Sequence, residues 1–401
     1  MDNVFVARQP IYDVNNQLIG YELLYRADET NVAEFSDGKI ASSHVILNGF
    51  MNIGFDSLVG SSLAFINITE DFILDTSLTP MFEKQTVLEI LEDIRPTPEI
   101  IAGVKRLKRK GYKIALDDFK FSPEYDELLN LTDFIKLDVI ELSTEGIVRE
   151  REYLKKYNVK IIAEKVETPE MYAFCKELDF DYFQGFHFCK PQIVKHKNIP
   201  SNKLVVLNLL KELNKEGFDF NEIEKTLAQD ATLTYKLLRY VNSAAFTQRK
   251  EIDSIREALA LVGGDTIRKW TTLILMMQLT EGKPQALLIT ALVRARMCEL
   301  LENTQKINNG QMFTVGLLSL LDALMDQPLV ELLDELTLST PVKLALLDYE
   351  GVSGEILMNV VLYEQGQWNE LVKHGVDAEN YFSCYIEAVK WTDSTIESLQ
   401  S

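Results

Sequence analysis

The chain has 401 residues, 46% hydrophobic and 25% charged, the composition of an ordinary soluble globular protein long enough for two domains or one large one. Its net charge of -20 excludes a broad basic face for a nucleic-acid polymer, but leaves room for a small anionic ligand, because a bound divalent cation inverts the local field. No apolar run approaches the roughly 18–20 residues that cross a bilayer.

The opening Met1-Asp2-Asn3-Val4 has neither a basic stretch nor an apolar one after it, so no signal peptide is expected. Because the first strand-like segment follows almost at once, no upstream sensor domain is expected either. Cys175, Cys189, Cys298 and Cys384 are scattered, without Cys-x-x-Cys spacing. That pattern predicts a reduced, cytoplasmic protein with buried thiols.

An extended opening containing Gln9-Pro10-Ile11-Tyr12 leads into Gly20-Tyr-Glu-Leu-Leu-Tyr-Arg26. Six apolar strand-like segments follow, each closing on a polar residue: Phe65-Ile66-Asn67, Val87-Leu88-Glu89, Ala115-Leu116-Asp117-Asp118, Phe134-Ile135-Lys136, Ile162-Ala163-Glu164 and Tyr182-Phe183-Gln184. Their β-branched runs, such as Lys113-Ile-Ala-Leu and Lys160-Ile-Ile-Ala, suit a sheet buried on both faces. Helical segments are predicted over Pro98–Lys110, Pro123–Asn130, Glu145–Tyr157 and Pro169–Leu178, three of them opening on proline, a favoured first helical residue. The strand ends recur at roughly 20–28-residue intervals, about one strand-plus-helix unit. The pattern predicts an α/β barrel, whose strand ends would gather in one mouth.

Taken singly, each polar residue reads as a helix cap or an ion-pair partner. Glu22, Asn67, Glu89, Asp117, Asp118, Lys136, Glu164 and Gln184 together, with Glu92 and Glu167 nearby, read as a site. Carboxylates and an amide without His or Cys suit a hard cation, Mg²⁺ or Mn²⁺. Adjacent aspartates suit a pair of metals about 3.5–4 Å apart, an arrangement that activates water against a phosphodiester.

The character changes near Lys190-Pro191, and 196–203, with His196-Lys-Asn-Ile-Pro200, reads as a linker. Beyond it the chain is expected to be all-helical over 204–401. Leu233, Leu237 and Val241 fall at helical spacing, Ser254-Ile-Arg-Glu257 is a capping-box signature, and Gly263-Gly264-Asp265 stops one helix and starts the next. Trp270, Met276 and Met277 are expected in a core. Arg294-Ala-Arg296, and Arg239 with Asn242, are expected on a solvated helix face and a helix end.

The ordered motifs of the first half, over 1–195, resemble the EAL domain family of cyclic di-GMP phosphodiesterases. The carrying residues are Glu22-Leu-Leu, Asn67, Glu89-Ile-Leu-Glu92, Asp117-Asp118-Phe119, Lys136-Leu-Asp138, Glu164-Lys165-Val166-Glu167 and Gln184-Gly185-Phe186 with Pro191. The resemblance implies a TIM-like barrel in which Glu22, Asn67, Glu89, Asp117 and Asp118 hold Mg²⁺ or Mn²⁺. It implies that Lys136 and Glu164, with Gln184 beside them, position and deprotonate the attacking water. Gln9 and Arg26 would contact the nucleotide, with Glu92 and Glu167 supporting. Two features depart from the family: Lys120-Phe-Ser-Pro-Glu-Tyr-Asp126 replaces a glycine-rich loop, and Lys165 replaces a glycine.

The second half resembles the HDOD family, a non-catalytic relative of HD phosphohydrolases, through Leu237-Leu-Arg-Tyr-Val-Asn242-Ser-Ala244, Ser254-Ile255 and Ala258-Leu259 to Gly263. The four histidines are His44, His187, His196 and His374, and Gly316-Leu-Leu-Ser-Leu320 stands where an HD enzyme carries His-Asp. Metal-dependent HD catalysis is therefore excluded. The two resemblances together imply a bacterial, cytoplasmic phosphodiesterase opening cyclic di-GMP to pGpG under an HDOD regulatory or interaction domain. The alternative is a weak or inactive cyclic di-GMP sensor or scaffold acting through HDOD contacts. The implied partners are cyclic di-GMP and an unidentified protein on the HDOD half, with a homodimer as a further open assembly.

Overall fold

The computed structural model describes residues 4–27, 58–75, 83–185, 263–279, 285–304, 311–336 and 338–400, with isolated positions between 206 and 260 and at 283. The linker at 196–203, Leu237, Arg239 and Val241 lie outside these residues. The chain forms two compact units, Met1–Phe188 with Leu362–Phe382, and Cys189–Val361 with Ser383–Ser401.

Eight strands close the first unit into a barrel in sequence order: β1 (Val4–Asp13), β2 (Leu18–Ala27), β3 (Leu63–Ile68), β4 (Thr86–Ile90), β5 (Lys113–Leu116), β6 (Phe134–Asp138), β7 (Lys160–Glu164) and β8 (Tyr182–Gln184). β2 to β8 pair in parallel. β1 runs antiparallel to both β2 and β8, which sets this barrel apart from an all-parallel one.

Side-chain alternation along each strand builds the interior. Ile11, Phe65, Val87, Ala115, Phe134 and Ile162 form one apolar plug. Two residues beyond these, on the same face, come Asn67, Glu89, Asp117, Lys136 and Glu164. In β1, which runs the other way, Gln9 takes that level two residues before Ile11, opposite Glu22. The other face of each strand carries residues such as Ile66, Leu88, Ile114, Ile135 and Ala163, all buried, as expected of a sheet covered by helices.

The helices of this unit have local causes. α1 (Glu70–Leu74) is short. α2 (Pro98–Lys110) starts at Thr97, whose Oγ1 accepts the Ile100 N–H, and ends at Gly111 with φ 101°. α3 (Asp126–Leu129) follows a 3₁₀ turn over Pro123–Tyr125. α4 (Thr144–Leu154) and α5 (Pro169–Glu177) are capped by Ser143 and Thr168.

The secondary-structure elements described in the second unit are all helices. Its helices include α6 (Gly264–Leu279), α7 (Gln285–Thr304), α8 (Met312–Leu318), α9 (Leu321–Met325), α10 (Leu329–Glu335) and α11 (Thr340–Asp348). Ser254 Oγ accepts the Glu257 N–H, the cap its sequence predicts. α7 and α8 cross closely because Gly316 has no side chain: a Cβ there would stand 2.7 Å from Ala295 Cα. Trp270 and Met276 are buried, as expected.

Arg294 departs from expectation. It is buried rather than solvated, donating to Ser319 Oγ at 2.9 Å and acting electrostatically on Asp322. Both arginines lie on α7, but the same turn that aims Arg296 at Glu299 and Glu387 carries Arg294 inward to α8. Asn242 is likewise structural. Its side-chain amide donates to the Ile252 carbonyl and accepts the Ile252 N–H, each at 2.8 Å.

Cys175, Cys298 and Cys384 are buried, and burial pushes the Cys175 thiol up to about 12. No helix among the described residues is long and apolar enough to cross a membrane.

Candidate active site

The mouth of the barrel is organised around one ammonium group. Lys136 is fully buried, and its Nζ lies 2.9 Å from Asp117 Oδ1, 2.9 Å from Glu164 Oε1, 3.0 Å from Glu89 Oε1 and 3.2 Å from Glu22 Oε2. Burial alone would push this ammonium down. The carboxylates, Glu164 foremost and then Glu22, Glu89 and Asp117, outweigh it and hold the lysine well above its usual range. Strand β6 runs on to Asp138, so Lys136 sits mid-strand and reaches the mouth by its length. Asp138, two residues further on, pairs with Lys165.

Burial acts on the carboxylates in the opposite sense. Burial, opposed by Lys136, pushes Glu164 up to about 8. Burial likewise holds Glu89 well above the ordinary carboxylate range, opposed by Lys136 and reinforced by Glu22, Asp117 and Glu164. Asp118 is raised by burial and then by Asp117.

Around this cluster the amides close a ring. Gln184 Nε2 donates to Glu22 Oε2 at 2.6 Å and to Gln9 Oε1 at 3.0 Å. Asn67 Nδ2 donates to Glu22 Oε1 at 3.3 Å. Gln9 thus joins the cluster through Gln184. Glu92 lies exposed on the rim of a cavity of about 310 Å³, whose wall includes Asp117, Asp118, Phe119, Tyr125 and Glu141. Glu167 is exposed on the turn after β7. Arg26 falls on β2, and its side chain lies outside the described residues.

Three turns after the site strands enter the left-handed region: Asp118 at φ 40°, Lys165 at φ 56° and Gly185 at φ 145°. Gly185 has no alternative, since a Cβ there would stand 2.4 Å from both the N and the O of Val166. The segment after Asp118 is tied down. Phe119 N–H donates to the Lys136 carbonyl, Phe121 N–H donates to Glu150 Oε2 at 3.0 Å, and the Phe121 ring packs on Tyr153. Glu150 is a residue the sequence reading passed over. It is buried on α4 at the spacing of Ile147 and Leu154, and a carboxylate on an apolar helix stripe was the signal.

Among the described residues, what the mouth offers a cation is carboxylate and amide oxygens, with the Lys136 ammonium as their counter-charge. Single oxygens of Asp117, Asp118 and Glu164 all lie within 4.8 Å of one another. Neither oxygen of Glu89 accepts a hydrogen bond, although Nζ stands close enough for ion pairing, and Asp118 Oδ1 is buried without one as well. Buried carboxylate oxygens left in this way fit a hard divalent ion.

Two family models match the chain, the EAL domain over residues 32–191 and the HDOD domain over residues 199–329. The chain is 32% identical to the uncharacterized protein YuxH of Bacillus subtilis over 98% of its own length and 99% of that protein's. It is also 32% identical to the cyclic di-GMP phosphodiesterase CdgJ of Vibrio cholerae, over 98% of this chain and 93% of the relative. Among solved structures it resembles an EAL domain protein from Listeria monocytogenes, with a TM-score of 0.37 and 21% identity over 46% of this chain and 87% of that one.

Proposed function

The chain belongs to the family of proteins that join an EAL domain to an HDOD domain, and from that premise we propose that it is a bacterial, cytoplasmic phosphodiesterase opening cyclic di-GMP to linear pGpG. The observation that carries the reading is the convergence of Glu22, Glu89, Asp117 and Glu164 on Lys136 Nζ. The name of the relative CdgJ supports the substrate.

Glu22, Asn67, Glu89, Asp117 and Asp118 would hold Mg²⁺ or Mn²⁺. When bound, such an ion neutralises charge on the phosphodiester oxygens and makes water more acidic. The chain's own groups do the remainder. Glu164, whose burial raises its proton affinity, takes the proton of the attacking water at its carboxylate. Lys136 Nζ, beside it, orients that water by donating to its oxygen. Gln184 and Asn67 keep Glu22 turned into the mouth, and Gln9 with Arg26 would contact the nucleotide. One water is consumed and one P–O bond is broken, which leaves the second phosphodiester intact. The HDOD half would regulate the barrel or bind a protein partner, and a homodimer is one assembly in which it could do so.

A second reading, a cyclic di-GMP sensor without turnover, is favoured by the segment after Asp118, which is tied to β6 and α4 rather than left free to move. The deciding experiment incubates the protein with cyclic di-GMP and Mg²⁺ or Mn²⁺, follows pGpG by chromatography and runs Asp117→Asn alongside. Turnover by the parent alone establishes the enzyme. No turnover with retained cyclic di-GMP binding establishes the sensor.

A further inference from the structure

Lys165 occupies a backbone position that residues carrying a Cβ disfavour. Its φ of 56° lies in the left-handed region, where a Cβ crowds the following carbonyl. Its ammonium nevertheless has a built-in seat. It pairs with Asp138 Oδ2, while Asp138 Oδ1 accepts the N–H groups of Ile140 at 2.8 Å and Glu141 at 2.9 Å. The anion that holds Lys165 is therefore itself fastened to the turn after β6.

The same ammonium acts electrostatically on Asp118 and Glu164. These are two of the three carboxylates whose oxygens close on one point, and the buried Asp118 Oδ1 accepts no hydrogen bond. The Lys165 ammonium, about half-exposed but seated on Asp138, thus sets a positive charge beside a place suited to a divalent cation. It repels a second cation there, and it cancels the charge of Asp138 that would otherwise favour one.

We propose that Lys165 is a positioning residue that weakens divalent-cation binding at Asp117 and Asp118, beside Glu164, so that this position fills at higher ion concentration than the rest of the mouth. The inference rests on reading the mouth as a metal site. It concerns a charge beside the ligands rather than the ligands themselves.

The test titrates metal-stripped, full-length protein with Mn²⁺ alone and reads free Mn²⁺ by electron paramagnetic resonance. The parent is expected to show a tighter and a weaker class of sites. Lys165→Gly and Lys165→Asn remove the charge, and both residues tolerate a left-handed backbone. Each should tighten the weaker class about tenfold, while Lys165→Arg keeps parental binding. Melting curves of all variants establish that they fold. An unchanged weaker class in the folded Gly and Asn variants overturns the proposal, as does an equal shift in Lys165→Arg. If the parent binds no Mn²⁺, and Asp117→Asn makes no difference, the metal reading of the mouth falls and this inference with it.

Discussion

Lys136 Nζ lies 2.9 Å from Glu164 Oε1, and the lysine side chain is wholly sealed from solvent. This contact and its three companions make Lys136 the counter-ion of the mouth. Lys136→Met would leave Glu22, Glu89, Asp117 and Glu164 facing one another. The expected loss is about 3–5 kcal/mol, measured by urea denaturation in the presence of a chelator. Mn²⁺ should recover part of it, because a divalent ion can replace the missing charge. A variant as stable as the parent under chelation would contradict this account.

Glu164 gives the metal-free protein a pH dependence of definite sign. Its carboxyl is pushed up to about 8 by burial, against about 4.3 in an unfolded chain. Between those values the folded state binds more protons than the unfolded state, so stability is full below the lower value and declines as pH rises through the higher. Denaturation midpoints under chelation should therefore fall from about pH 5 to about pH 8. Glu164→Gln should flatten that part of the profile, and an identical slope in the variant would rule Glu164 out as its source.

Gly185 ends β8 where a side chain has no room. Its missing Cβ would stand 2.4 Å from the Val166 backbone, and Val166 N–H donates to the Gln184 carbonyl. Gly185→Ala must therefore part β7 from β8 next to Glu164. A destabilisation of about 1–3 kcal/mol is expected, with weaker Mn²⁺ binding measured by calorimetry. Parental binding and stability would show that the turn yields without disturbing the site.

Glu150 holds the Phe121 N–H from behind the Asp117-Asp118 turn. Glu150→Ala strands that donor at a cost of about 1–3 kcal/mol, whereas Glu150→Gln keeps an acceptor and should recover most of the loss. Hydrogen exchange at Phe121, followed by mass spectrometry, reads the contact directly. Exchange as slow in the alanine variant as in the parent would place its protection elsewhere.

The strand ends were legible because the barrel interior obeys a period of two: Phe65 and Asn67, Val87 and Glu89, Phe134 and Lys136 alternate plug and site along single strands. Helix starts were legible at Pro169 and Ser254 because they depend on a few adjacent residues. Glu150 and the Lys165–Asp138 pair were not, since each joins different elements across the fold. Arg294 was misjudged for the same reason: its side chain meets α8, and nothing local to Arg294-Ala-Arg296 says so.

By itself the sequence determined an α/β barrel followed by helices, the chemistry of an oxygen-lined mouth and the absence of histidine from the helical core. These depend on composition, alternation and order along the chain. Only the tertiary structure decided that β1 runs antiparallel and brings Gln9 opposite Glu22. It alone decided that Lys136 gathers four carboxylates, and that Lys165, on a left-handed backbone, pairs with Asp138. The reason is physical: electrostatic and hydrogen-bonding energies depend on distance in space, which barrel closure sets between residues more than a hundred positions apart, such as Glu22 and Lys136.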